Sequence, residues 1–97
     1  MAKKGYWVVC YRSVSNAAAL SEYMKLATTA LQSLEGRVIV GGKPAKIYEA
    51  GLDESVVIVE FESLEKAISA YESDIYKPAL EVLDNAAQRD FRILEGR

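Results

Sequence analysis

The stretch Ser55-Val56-Val57-Ile58-Val59-Glu60-Phe61, followed at once by Glu62-Ser63-Leu64-Glu65, decides the fold. A run of β-branched residues ending in an aromatic favours pleated, extended backbone. Ser63 is suited to accept a hydrogen bond from a free N–H at the start of a helix, and Glu65 complements that helix's positive end. Leu64, Ala67, Ile68 and Tyr71 then recur at helical spacing. A strand therefore runs directly into an amphipathic helix.

Upstream, Gly51-Leu52-Asp53-Glu54 predicts a turn, and Ala45 to Glu49 an extended segment. Gly41-Gly42-Lys43-Pro44 breaks or bends the chain, because the glycines allow unusual backbone angles and Pro44 has no N–H for a ladder. Arg37-Val38-Ile39-Val40 predicts a strand, with Gly36 as the stop of a preceding helix. In that helix Leu20, Met24, Ala27, Leu31 and Leu34 share one face, and Ser15 or Asn16 caps it. Tyr6 to Arg12 predicts the first strand. Downstream, Ser73-Asp74 predicts a break, and residues from about Ile75 to Asp84 a short helix that tolerates Pro78 only in its first turn. Arg89 to Glu95 predicts the last strand. The order β-α-β-β-α-β is that of an α+β, ferredoxin-like fold: an antiparallel sheet with helices on one face.

Composition narrows the function. A length of 97 residues predicts one domain, and 51% hydrophobic with 27% charged residues fits a folded globule. Twelve Lys and Arg against fourteen Asp and Glu leave a net charge of −2, which argues against nucleic acid as a partner. One Cys and no His exclude an internal disulfide framework, the usual zinc sites and any Cys–His or Ser–His nucleophile pair. No cofactor is implied. No apolar run approaches the roughly 20 residues that cross a bilayer, and Arg12 ends the first apolar run before it resembles a signal peptide. The expectation is a cytoplasmic protein with Cys10 reduced.

Alternation along the strands places apolar side chains on both faces of the sheet. Tyr6, Val8 and Cys10 oppose Trp7, Val9 and Tyr11; Val57, Val59 and Phe61 oppose Val56 and Ile58; Val38 and Val40 oppose Ile39. Helices that cover one side leave the other as an apolar patch larger than soluble monomers usually expose. A second copy of the chain, sheet against sheet with two-fold symmetry, is the expected cover.

Gly36-Arg37-Val38-Ile39-Val40-Gly41-Gly42, Val57 to Glu65, Ser73-Asp74-Ile75-Tyr76 and Leu94-Glu95-Gly96 together resemble the domain-of-unknown-function family 1330, over about residues 5 to 96. The resemblance implies a ferredoxin-like chain that pairs as a dimeric α+β barrel. That superfamily holds cofactor-independent monooxygenases, lactone isomerases, heme enzymes and binding proteins, and the family itself brings no activity. Where the family pattern has a basic residue before the double glycine, this chain has Gly41; where an Arg is common in the short helix, it has Leu83. Arg37, Glu60 and Phe61 are retained.

Glu60 interrupts an apolar strand, so its carboxylate needs a cation, with Arg12, Arg37 or Arg92 in reach and Arg12 the expected neighbour. An ion pair supporting the sheet or dimer is the plainer reading, and a ligand-binding or acid–base role the sharper one. Six tyrosines offer hydroxyls that orient a ligand, although buried tyrosines more often serve the core. Gly36-x4-Gly41-Gly42-Lys43-Pro44 fails as a phosphate loop because it lies among strands and lacks the Ser or Thr. The acidic pairs match no calcium loop, and the central strand lacks the RNA-binding pattern. The leading expectation is a homodimer that binds a small hydrophobic or anionic molecule in a cleft between sheet and helices, lined by Tyr11, Arg12, Tyr23, Arg37, Glu60 and Tyr76. The alternatives are a cofactor-independent isomerase or monooxygenase, with Glu60 as base and Arg12 or Arg37 holding an oxyanion, and a structural homodimer without ligand.

Overall fold

A computed structural model describes residues 3–97. The elements are β1 (Gly5–Val14), α1 (Ala17–Ser33), β2 (Arg37–Gly42), β3 (Val56–Phe61), α2 (Leu64–Glu72), α3 (Lys77–Leu83) and β4 (Ala87–Glu95). The four strands form one antiparallel sheet in the order β2-β3-β1-β4. This is the ferredoxin-like α+β arrangement, with a third helix before the last strand.

Local chemistry starts and stops these elements. The Asn16 side chain accepts from the Ala19 N–H at the start of α1, and Ser63 accepts from the Lys66 N–H at the start of α2. Ser15 is not the cap; its hydroxyl donates to the Asn85 carbonyl. The helix stop differs from expectation: Glu35, not Gly36, takes the left-handed conformation. Gly36 is required for space instead, since a Cβ there would lie 2.7 Å from the Phe61 ring. Ser73 bridges α2 and α3, donating to the Ala70 carbonyl and accepting from the Tyr76 N–H. Ala45 to Glu49 forms no strand, and the turn that follows is closed by the Gly51 N–H on the Tyr48 carbonyl.

Trp7, Val9, Tyr11, Val59 and Phe61 face the helices and form the floor of the core. Trp7 is its centre: its ring lies 5.0 Å from those of Phe61 and Tyr76 and 5.2 Å from Phe91. Its indole N–H donates to the Ala67 carbonyl at 2.7 Å, so α2 is fixed to β1 by a buried polar contact as well as by packing. In α1 the buried seam is Tyr23, Ala27, Ala30 and Leu31; Ala27 and Leu31 are as expected, Leu20 and Leu34 pack half-buried against the core, and Tyr23 takes the place expected for Met24, which is left 53% exposed. The cause is tertiary: α1 packs chiefly along α3, so the large ring of Tyr23 turns towards Tyr76.

The opposite face of the sheet carries no helix. Val8, Val40, Val56 and Ile58 form its apolar centre, with Tyr6, Cys10 and Leu94 around them. β2 departs from the expected alternation. Val38 pairs with Val59 but Val40 pairs with Ile58, so Ile39 is an extra residue that puts Val38 and Val40 on opposite faces. Val38 therefore looks towards α1, and Val40 joins the bare face.

Candidate functional site

Because α1 leans on α3, it stands off the β2–β3 side of the sheet and leaves a cleft. Under the C-terminal half of α1 lies a cavity of about 80 Å³, walled by Trp7, Val9, Tyr23, Ala27, Val59 and Arg89. Towards the N-terminal half lies a larger one of about 390 Å³, walled by Val14, Leu20, Gly41, Gly42, Glu54 and Ser55. Tyr11, Met24, Val38 and Val57 border both. Three of the four are where they are by sheet register: Tyr11 by the β1 alternation, Val57 as the partner of Val9, and Val38 by the β2 bulge.

The charged group of the smaller cavity is Arg89. Arg89 is the cross-strand partner of Tyr11 and shares a face of β4 with Phe91 and Ile93. Its Nη1 donates to the Tyr23 hydroxyl at 2.9 Å, and that hydroxyl bonds in turn to the hydroxyl of Tyr76. The guanidinium also lies 5.1 Å from the ring centres of Tyr23 and Phe91 and 5.8 Å from that of Tyr11. Among the described residues no carboxylate pairs with it.

These contacts set the charges. Burial opposes the Arg89 cation, yet the oxygens of Tyr23, Tyr76 and Tyr11 outweigh it and hold the proton above even the usual arginine range. Burial pushes the Tyr76 hydroxyl far up, with Tyr23 beside it adding to the effect, and burial likewise raises Tyr11. Tyr11 and Tyr76 are thus neutral hydrogen-bonding groups at any physiological pH. The smaller cavity presents a fixed positive charge in an apolar, aromatic wall.

The six residues singled out from the sequence divide between the two faces. Tyr11, Tyr23 and Tyr76 come together on the helix side; Tyr11 and Tyr23 line the cleft, while Tyr76 is fully buried behind Tyr23. Arg37 and Glu60 lie on the bare face. Glu60 accepts from Arg37 at 2.6 Å through Oε1 and from the Tyr6 hydroxyl at 3.0 Å through Oε2. The Tyr6 bond first, and the Arg37 bond second, hold its carboxyl below the usual range. Arg12 is not its neighbour: Glu60 is paired across the strands with Tyr6, at the other end of β1. Arg12 is the extra residue at the irregularity between Tyr11 and Ser13, beside Cys10, Asp90 and the loop that carries Tyr48. Arg92, the third candidate cation, pairs with Asp90 instead.

Arg89 is the residue that sequence reasoning passed over. The signal is an arginine in the alternation Arg89-x-Phe91-x-Ile93, a charge in the register of the apolar face. Among the described residues no cluster of His, Cys, Asp and Glu could hold a metal ion, and no helix is long and apolar enough to cross a membrane.

The architecture is shared with solved structures. An unknown-function protein from Rhodopseudomonas palustris, RPA0582, superposes with a TM-score of 0.75 at 15% identity, over 100% of this chain and 85% of that one. SnoaB, a cofactor-independent oxygenase from Streptomyces nogalater, gives 0.67 at 12% identity, over 99% and 95%. A dimeric ferredoxin-like protein of unknown function from Thermobifida fusca gives 0.58 at 10% identity, over 98% and 92%. At these identities the likeness is one of fold. No curated protein matches the sequence. Residues 4–97 match the family described as Domain of unknown function (DUF1330), and with nearly the whole chain inside that match the protein belongs to this family.

Proposed function

We propose that the protein is a two-fold homodimer that binds a small, largely apolar molecule carrying negative charge in the cleft between α1 and the sheet. The observation that carries this reading is Arg89, a cation facing an apolar cavity without a carboxylate to neutralise it. Its partners are neutral tyrosine hydroxyls, so its charge is left to pair with a bound anion. Tyr11 and Tyr23 supply aromatic walls, and Tyr76 acts as a positioning residue through Tyr23. The dimer is supported by the uncovered apolar face, whose edge carries the Tyr6–Glu60–Arg37 network. A cytoplasmic setting, with Cys10 a thiol and no nucleic-acid partner, belongs to the same proposal.

An oxygenase or isomerase chemistry, as in the name of the Streptomyces nogalater protein, draws support from the same Arg89, since a fixed cation stabilises a developing enolate or phenolate. Glu60 is not suited to be its base. It lies on the other face, and its contacts weaken it as a proton acceptor.

Native mass spectrometry of freshly purified protein tests the binding reading. Wild type is expected to retain a small molecule, and Arg89→Gln, checked for fold by circular dichroism, to lose it. Ligand retained equally by both would overturn the reading.

A further inference from the structure

We infer that the ligand of this cleft is a monoanionic amphiphile: one carboxylate-like head held at Arg89, an apolar body in the larger cavity, and no second negative charge. This rests on the proposed reading of the cleft as a ligand site and adds the class of molecule it takes.

Three observations carry it. First, the cavities differ in size. The one that reaches Arg89 holds about 80 Å³, room for a head group and little more, while the adjoining one holds about 390 Å³, within the range of small-molecule sites. They share Tyr11, Met24, Val38 and Val57, so a single ligand lying across those four residues occupies both. Second, the walls differ in chemistry. Arg89 lines the smaller cavity and not the larger, and Val14, Leu20, Met24, Val38 and Val57 give the larger one its apolar surface. Third, an acidic residue, Glu54, borders the larger cavity, and none borders the smaller. Among the described residues Glu54 has no cation partner. A second anionic group on the ligand body would face that carboxylate while losing its own hydration. A dianion is thereby rejected at one end even as its other end is held, so the cleft selects by repulsion as well as attraction.

The test is calorimetric titration of the full chain with straight-chain monocarboxylates from butanoate to octanoate and with dicarboxylates of matched length. Monocarboxylate affinity should rise about fourfold for each CH2 buried. A dicarboxylate should bind at least about tenfold more weakly than its monocarboxylate match. Glu54→Gln should recover most of that gap for the dicarboxylates. Affinity that does not change with chain length, or equal affinity for the two series, overturns the amphiphile assignment. If in either case Arg89→Gln still abolishes binding, the cleft reading stands without it. Binding that survives Arg89→Gln and Arg89→Lys unchanged, or the absence of binding by every probe, overturns the cleft reading itself.

Discussion

Removing the Tyr23 hydroxyl should cost far more than removing that of Tyr76, although the two are bonded to each other. In Tyr76→Phe one buried neutral hydrogen bond disappears, but the Tyr23 oxygen still accepts from Arg89 at 2.9 Å. The expected loss is about 1 kcal/mol. In Tyr23→Phe the Arg89 guanidinium loses its acceptor, which for a charged donor is worth roughly 2 kcal/mol. The Tyr76 hydroxyl, on a side chain with 0% exposure, is left without a partner, adding about 1–2 kcal/mol. The total is about 3–4 kcal/mol. The double variant loses the Arg89 bond but leaves no orphaned hydroxyl, so it should be no worse than Tyr23→Phe alone. The cycle therefore predicts a coupling energy of about 2 kcal/mol, with the double variant more stable than the sum of the singles implies. Urea unfolding at fixed protein concentration measures it, through midpoints at unchanged slope. Strict additivity, or a costlier Tyr76→Phe, would refute the network of Arg89, Tyr23 and Tyr76 as the support of the cleft.

Two further outcomes follow from the bare face. Ile58 sits in its apolar centre, paired across the strands with Val8 and Val40, and is only half-buried in a single chain. Ile58→Asp should leave the protomer folded but place a charge from each copy in a sheet-to-sheet interface, weakening dimerisation about a hundredfold or more. Sedimentation should then show a 10.7 kDa particle for the variant and twice that mass for wild type. A monomeric wild type would dispose of the dimer. The second outcome concerns pH. The folded Glu60 carboxyl titrates below its usual value of 4.5, so its contribution to stability is present above that value and is lost as the pH falls through the lowered one. Tyr6→Phe removes the largest cause of the lowering. The carboxyl titration followed by NMR should move upward, and the stabilised window at acid pH should narrow. An unchanged titration would mean that the Tyr6 bond is absent in solution.

What the sequence determined by itself is the part of the architecture that depends on neighbours along the chain. Ser63 and Asn16 cap helices because a side-chain oxygen reaches an N–H three residues on. The run Val56 to Phe61 is a strand because β-branched side chains pack well on a pleat, and the alternation of β1 already separated Trp7, Val9 and Tyr11 from the opposite face. The family and its α+β topology follow from such local features in order. What only the tertiary structure decided is which distant side chains meet. Period two assigns a residue to a face only while the ladder is regular, and the extra residue at Ile39 reverses the sorting of β2 and turns Val38 into the cleft. The packing of α1 on α3, not the helical period of α1, chose Tyr23 over Met24 for the core. Register also placed Tyr6, and not Arg12, opposite Glu60. Arg89 reads as an ordinary strand arginine until Tyr11, Tyr23 and Phe91 are seen around it, because the field at a charge is made by groups brought near it in space.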